Sequence, residues 1–344
     1  MQANYRPVRI WLAIIALLIV ATAVVGAATR LTGSGLSITE WNPIMGVLPP
    51  LSDADWQAAF AKYREIPQYA KLNKGMSLAA FQTIFWWEWS HRLLARSIGA
   101  VFFLPFLVFL AKGMLPRRLA PRLAAIFLLG GLQGFVGWYM VKSGLVDRVD
   151  VSPIRLALHL GMATLVLALV VWTWADLAPP RPGVRLSTLT RGQRLSAWLL
   201  LALVYVQVLL GAIVAGLKAG RTYNTWPLMD GQIIPDGLWT MTPGWLNIFD
   251  NAGLVQLNHR MMAYVVVLLA LFHAVSLLRT ADDERVRRSA TLVAIALLAQ
   301  MALGIWTLLA WVPIHLGVAH QLGALVVLML TVWHTFAMHR ATRT

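Results

Sequence analysis

The sequence predicts an all-α, polytopic membrane protein of eight transmembrane helices, arranged as two pseudo-symmetric four-helix bundles. Three observations predict it. The 344-residue chain is 59% hydrophobic and 12% charged, whereas a soluble domain carries about 25% charged residues. Apolar runs of roughly 20 residues, long enough to cross a hydrocarbon core of about 30 Å, recur from end to end. The two halves of the chain also repeat one another at polar and aromatic positions.

The runs place helices at 8–28, 83–111, 120–142, 155–176, 194–217, 251–279, 287–310 and 314–336. The first follows Arg6 and Arg9 and so resembles a secretory signal. Its apolar stretch of about 19 residues exceeds the usual signal core of roughly 7–15, which marks it as an uncleaved first span.

With these spans, one side of the membrane carries 16 Arg and Lys against four acids, and the other 13 against ten. The positive-inside rule makes the first side cytoplasmic and places both termini there. The net charge of +15 thus reports orientation; the basic residues lie between apolar spans and form no Lys/Arg-rich segment, so no nucleic acid is expected. The chain has no cysteine, which excludes disulfides, thiolate metal sites and a cysteine nucleophile.

Two long loops then face outward. In the first, 29–82, Ser52 and Asp55 form a capping-box pattern, and Trp56, Ala59, Phe60 and Tyr63 follow at helical spacing. This predicts a short helix lying on the outer membrane surface, ended by Pro67, with Ser77 as N-cap of the second span. Segment 177–193, with Pro179, Pro180, Pro182 and Gly183, joins the halves inside the cell.

The domains are therefore 1–176, the linker 177–193, and 194–344. A shift of 185 residues aligns Gly26/Gly211, Ala27/Ala212, Gly35/Gly220, Trp41/Trp226, Gly46/Gly231 and Pro50/Pro235. At other shifts Glu88-Trp-Ser-His-Arg falls on Gln256-Leu-Asn-His-Arg, Gln133 and Gly137 on Gln300 and Gly304, and His159 on His320. Each half has an even number of spans, so the repeat is parallel, about an axis along the membrane normal.

Four of the eight histidines, His91, His159, His259 and His320, occupy corresponding positions, one to two turns inside the outer ends of the even-numbered spans. Two helices per half, each offering one imidazole at similar depth, can clamp a planar ligand, as in bis-His haem ligation. Zinc fits poorly, because neither half brings three good ligands to one level. His259 and His273, like His320 and His334, are 14 residues apart, the spacing of two-haem cytochrome b helices. Pro105 and Thr173 stand at the equivalents of His273 and His334, and a structural role is expected for that second pair.

Glu88 lies three residues before His91, on the same helix face. A carboxylate within a span is a functional candidate by default, with a salt bridge to Arg92 or Arg96 as the alternative. The other half has Gln256 there, which separates a reactive half from a passive one. Arg92 and Arg260 directly follow their histidines, and either pair with haem propionates or anchor at the interface.

These residues resemble the haem A synthase family in its proteobacterial and mitochondrial form, over almost the whole chain. The resemblance rests on Thr29-Arg-Leu-Thr-Gly-Ser-Gly-Leu-Ser running on to Trp41, the Trp56/Phe60/Tyr63/Pro67 loop, Glu88-Trp-Ser-His-Arg, and Gln133-Gly-Phe-Val-Gly-Trp-Tyr-Met-Val-Lys-Ser-Gly-Leu. It continues through His159, Asn224-Thr-Trp-Pro-Leu-Met-Asp-Gly, Asn258-His-Arg and Ala319-His-Gln. It implies an oxidoreductase that converts a ring methyl group of haem O to a formyl group by successive hydroxylations, giving haem A for cytochrome oxidase. It implies substrate haem on His91 and His159, a resident haem b on His259 and His320, and Glu88 as the catalytic carboxylate. Some bacterial members carry a cysteine pair in the first outer loop; this chain fits the cysteine-free subgroup.

Candidate partners are haem O synthase (a farnesyltransferase), an electron donor, a second copy of the chain and the lipid bilayer. The expected location is a bacterial inner membrane, favoured by the lack of a long transit peptide, with the haem sites toward the periplasm. The competing reading is a cytochrome b-like electron carrier that leaves haem unmodified. A green fluorescent protein fused to the C-terminus is expected to fluoresce, and alkaline phosphatase fused there to be inactive; the opposite pair of results reverses the topology.

Overall fold

A computed structural model describes residues 5–42, 45–146, 149–179 and 189–340. Much of the predicted linker, including Pro180, Pro182 and Gly183, lies outside the described residues, as do Arg181, Arg185 and Arg343. Eleven α-helices occur among the described residues. They are α1 (Arg6–Leu31), α2 (Asp53–Arg64), α3 (Pro67–Leu72), α4 (Leu78–Ala111), α5 (Leu119–Lys142), α6 (Pro153–Asp176), α7 (Arg191–Gly216), α8 (Asn247–Asp250), α9 (Ala252–Thr280), α10 (Glu284–Leu309) and α11 (Ile314–Arg340). All but α2, α3 and α8 are long and apolar enough to cross a membrane, which gives the eight expected spans.

The chain divides into two compact units, one of residues 17–163 and one formed by residues up to 16 together with those from 164 onward. The division falls within α1 and α6, each of which takes part in both units. In the second unit α7, α9, α10 and α11 close into a ring, α7 packing on α9, α9 on α10, α10 on α11 and α11 on α7. Small and branched side chains, Ala197, Ala274, Leu277, Ala290, Ala294 and Met338, fill its interior toward one end. In the first unit, α4 packs on α5.

The 29–82 loop departs from expectation in two ways. The capping box forms: the Asp55 amide donates to Ser52 Oγ at 3.1 Å, and Asp55 Oδ2 accepts from the Ser52 amide at 3.0 Å. Helix α2, however, does not offer its apolar face to a membrane surface. Trp56, Phe60 and Tyr63 are buried against Leu36, Ile66, Phe81 and Phe85, with Phe60 stacked on Phe81 at 4.9 Å and Trp56 edge-on to Phe85 at 5.0 Å. Aromatic area of this size is worth more packed than exposed, and the start of α4 supplies the partner surface. α4 begins at Leu78, ahead of the span bound at 83, and bears out Ser77 as its N-cap, Ser77 Oγ accepting from the Ala80 amide at 3.2 Å.

Pro67 does more than end α2. It opens α3 at the first helical position, where a missing N–H costs nothing. Tyr63, fully buried, donates to Gln68 Oε1 at 2.9 Å and accepts from Asn73 Nδ2 at 2.6 Å. Gln68 Nε2 in turn reaches the carbonyls of Gly33 at 3.2 Å and Val149 at 3.3 Å, which ties the α2–α3 segment to the turn after α1. Burial raises the Tyr63 phenol above its ordinary value, against the donation from Asn73.

Donation from the Ser52 hydroxyl, and then from the Ser52 and Leu51 amides, holds the Asp55 carboxyl below its ordinary value. A depressed carboxylate stabilises the fold above its unfolded pKa and loses that contribution as pH falls through the folded value. Asp55→Ala is therefore expected to lower the melting temperature in detergent at pH 7. The gap from the unsubstituted protein should close below about pH 4, the ordinary range of an aspartate; a gap that persists there removes the cap from the account.

Candidate functional site

The four repeat-related histidines are all seated in the same way. Each packs its imidazole edge onto a glycine of the preceding long helix: His91 on Gly26, His159 on Gly137, His259 on Gly211 and His320 on Gly304. A Cβ at those glycines would stand 2.8, 2.9, 3.2 and 2.8 Å from the ring Cε1. Ordinary contact needs about 3.5 Å or more, so any side chain there displaces the ring. His91 and His159 lie in one unit, and His259 and His320 in the other.

The ring nitrogens are held differently. His91 Nδ1 is 3.0 Å from the carbonyl of Thr22, which accepts only. Nδ1 therefore carries the hydrogen, and the Nε2 lone pair is free. His159 Nδ1 is 3.0 Å from Gln133 Nε2, and His320 Nδ1 is 3.1 Å from Gln300 Nε2. His259 Nδ1 is buried without a hydrogen-bond partner among the described residues; Gln207 Nε2 binds the His259 carbonyl instead, at 3.1 Å.

Glu88 is 3% exposed and surrounded by donors. One oxygen accepts from Ser37 Oγ at 2.7 Å and the Ile38 amide at 2.8 Å. The other accepts from Arg92 Nε at 3.1 Å and Nη2 at 2.7 Å. The alternative reading of Glu88, a salt bridge to Arg92, thus exists as a contact, and burial of the pair raises the cost of removing either member. Ser37 and Ile38 reach Glu88 because the chain turns sharply after α1. Gly33 takes φ +69°, and the Ser34 amide donates to the Thr29 carbonyl at 2.8 Å. Sequence reasoning missed Ser37; its hydroxyl matters only once that turn brings it to α4.

Arg92 also donates to the carbonyls of Ile38 at 2.7 Å and Glu40 at 2.9 Å. Arg260 does the same with Tyr223 at 2.8 Å and Thr225 at 3.0 Å, residues that lie 185 positions after Ile38 and Glu40. Both arginines clamp the outer loop of their own unit. They differ in one respect: Arg260 faces Gln256 where Arg92 faces Glu88, and its Nε is buried without a partner among the described residues.

The profile of the cytochrome oxidase assembly protein family matches residues 9–332. A haem A synthase of Parvibaculum lavamentivorans is 50% identical over 99% of this chain and 96% of its own length. Haem A synthases of Chelativorans sp. and Rhodopseudomonas palustris are 51% and 54% identical, over 99% and 95% of this chain and 92% and 90% of their own lengths. The chain belongs to the haem A synthase family. As a family member with eight long apolar helices, it is a multi-pass membrane protein.

In this haem A synthase family member the second histidine pair is engaged with itself. His273 Nε2 and His334 Nε2 are 2.8 Å apart, and each Nδ1 is 2.7 Å from a serine hydroxyl, Ser196 and Ser289 respectively. Taking zinc as a guide, a metal needs about 2.0–2.1 Å to each imidazole nitrogen. An iron gripped between two opposed imidazoles would hold the nitrogens about 4 Å apart on that scale; at 2.8 Å the two rings are in direct hydrogen-bond contact. Each of the four ring helices contributes one member of this chain, so it also fastens α7 to α10 across the bundle. Replacing His273 or His334 singly with leucine leaves its partner unsatisfied, and is expected to cost about 1–3 kcal/mol. The double replacement should cost less than the sum, with haem content unchanged; strict additivity in thermal unfolding would dissolve the pair.

Proposed function

We propose that this chain is a haem A synthase. It oxidises a ring methyl group of haem O to a formyl group through two hydroxylations, the resulting geminal diol losing water. The observation that carries this reading is the pair of glycine-seated imidazoles in each unit, with a buried carboxylate one turn from His91 and none at the corresponding Gln256. Haem O is the substrate on His91 and His159. The residues of the other unit fit a resident haem b. Gly211 and Gly304 leave room for the imidazoles of His259 and His320 to seat against their helices, and the unpartnered Arg260 Nε offers a donor to a propionate. Bound there, haem b supplies one-electron transfer to the substrate unit.

The chain's own residues divide the remaining work. The Thr22 carbonyl directs His91 Nε2 toward the metal by holding the hydrogen on Nδ1. Gly26 and Gly137 fix how near each ring stands to its neighbouring helix. Glu88, gripped by four donors from Ser37, Ile38 and Arg92, keeps one position beside His91. A carboxylate held this way stabilises positive charge developing at the reacting carbon, which favours an electrostatic role over proton shuttling. Arg92, bound to Glu88 and the loop carbonyls, is a positioning residue. The domain scheme of the sequence reading belongs to this proposal, as do the parallel repeat, cytoplasmic termini and a periplasmic placing of the sites. The recurrence of the Arg-to-loop and His-on-Gly contacts at the repeat shifts supports the two-half plan. A cytochrome b-like carrier would want a second haem stacked beneath the first, and the closed His273–His334 contact disfavours it.

The test is pigment extraction from membranes expressing this chain beside a source of haem O. Haem A and its hydroxylated precursor are expected with the unsubstituted chain. Glu88→Gln should lower their yield at least about 100-fold, the scale set by losing one preorganised electrostatic group, with bound haem b retained. Membranes that hold only haem O and haem b with the unsubstituted chain would remove the enzymatic reading.

A further inference from the structure

Gln133 and Gln300 stand at matching positions on α5 and α10, and the proposed reaction gives them no part. Each contacts Nδ1 and the carbonyl of a single histidine of the next helix, and Gln133 Nε2 also lies 3.5 Å from His159 Nε2. Gln133 Nε2 lies 3.0 Å from His159 Nδ1 and 3.0 Å from the His159 carbonyl. Gln300 Nε2 lies 3.1 Å from His320 Nδ1 and 2.7 Å from the His320 carbonyl. The carbonyl contact identifies the facing atom as nitrogen, since a carbonyl accepts and only the NH₂ end donates. A clasp at two points of one residue fixes the rotation of the ring as well as its position. The glycine under each ring, Gly137 or Gly304, limits it from the other side.

The clasp has a consequence for ligation. An amide nitrogen toward Nδ1 makes that ring nitrogen an acceptor and leaves the hydrogen on Nε2. A metal on Nε2 requires the opposite tautomer, with Nδ1–H as donor. Gln133 Oε1 is buried without a hydrogen-bond partner among the described residues, so turning this amide over gives its oxygen a partner. Gln300 Oε1 lies over Gly323, where a Cβ would collide with it, so the glycine keeps that end of the amide free of a side chain.

We propose that Gln133 and Gln300 are positioning residues that set the rotation and tautomer of His159 and His320, each amide giving up its hydrogen bond to the histidine carbonyl and turning its oxygen to Nδ1–H when the histidine ligates haem iron through Nε2. This rests on the ligation reading above. The other two histidines are held differently: His91 Nδ1 has a fixed acceptor in the Thr22 carbonyl, and Gln207 Nε2 reaches the His259 carbonyl at 3.1 Å and its Nε2 at 3.5 Å, leaving Nδ1 without a partner among the described residues.

The test uses the purified full chain with its haem, in detergent, and measures how fast haem passes to an excess of apomyoglobin. His320→Ala should abolish the low-spin absorption of a bis-imidazole haem. Gln300→Leu should keep that absorption and release haem about 10- to 100-fold faster, the usual effect of losing a partner of a ligating histidine. Gln300→Glu, whose carboxylate oxygens accept from Nδ1–H, should release haem no faster than the unsubstituted protein. A wild-type rate for Gln300→Leu overturns the positioning role. Equal acceleration in Gln300→Glu and Gln300→Leu overturns the turned amide. An unaltered spectrum in His320→Ala removes the ligation reading and this inference with it. Should Gln300→Leu not fold, Gln300→Met, similar in volume and without an amide, makes the same comparison.

Discussion

A polar side chain inside hydrocarbon must find its partner within the protein, because lipid offers none. That constraint organises this molecule. Its membrane helices are almost wholly apolar, and their few polar groups are gathered where another helix or a returning loop can meet them. Imidazoles rest on glycines and are clasped by glutamines or a backbone carbonyl. Glu88 is met by the loop that leaves α1. His273 and His334 meet each other and the hydroxyls of Ser196 and Ser289.

The same scaffold produces two different environments through very few changes. Both units clamp the outer loop with an arginine that binds two carbonyls, at Ile38 and Glu40 in one and at Tyr223 and Thr225 in the other. With Glu88 beside it, Arg92 is neutralised in place and the pair forms a rigid dipole next to His91. With Gln256 in that position, the amide reaches the Tyr223 carbonyl at 3.0 Å, and Arg260 spends its donors on the Tyr223 and Thr225 carbonyls. One residue type thus separates a unit with a fixed carboxylate from a unit that offers a donor to an anion.

The aromatic tier outside α4 serves the same end from a distance. Phe60, Tyr63 and Phe81 are packed ring on ring, and rings of this kind tolerate little displacement. Through Gln68 and the Gly33 carbonyl, that rigidity passes to the turn that carries Ser37 and Ile38. Loops are usually the mobile part of a membrane protein's exterior; here a loop supplies half of the contacts to a buried carboxylate, and a packed aromatic layer holds it still.

By itself the sequence determined the class and the eight spans to within a few residues at most boundaries, and it singled out His91, His159, His259, His320 and Glu88 as candidates. Each depends on a short-range or periodic signal: a run as long as the bilayer is thick, a repeat shift, or a spacing of three residues on one helix face. Only the tertiary structure decided what lies between elements. It turned the apolar face of α2 away from a membrane surface and onto Phe81 and Phe85, because packing partners more than 20 positions away in sequence outweigh local amphipathicity. It bound Arg92 to Glu88 and the loop, brought Ser37 and Thr22 to the site, and closed His273 on His334. Those contacts join residues far apart along the chain, and hydrogen bonds of this kind require angles and distances that no linear spacing encodes.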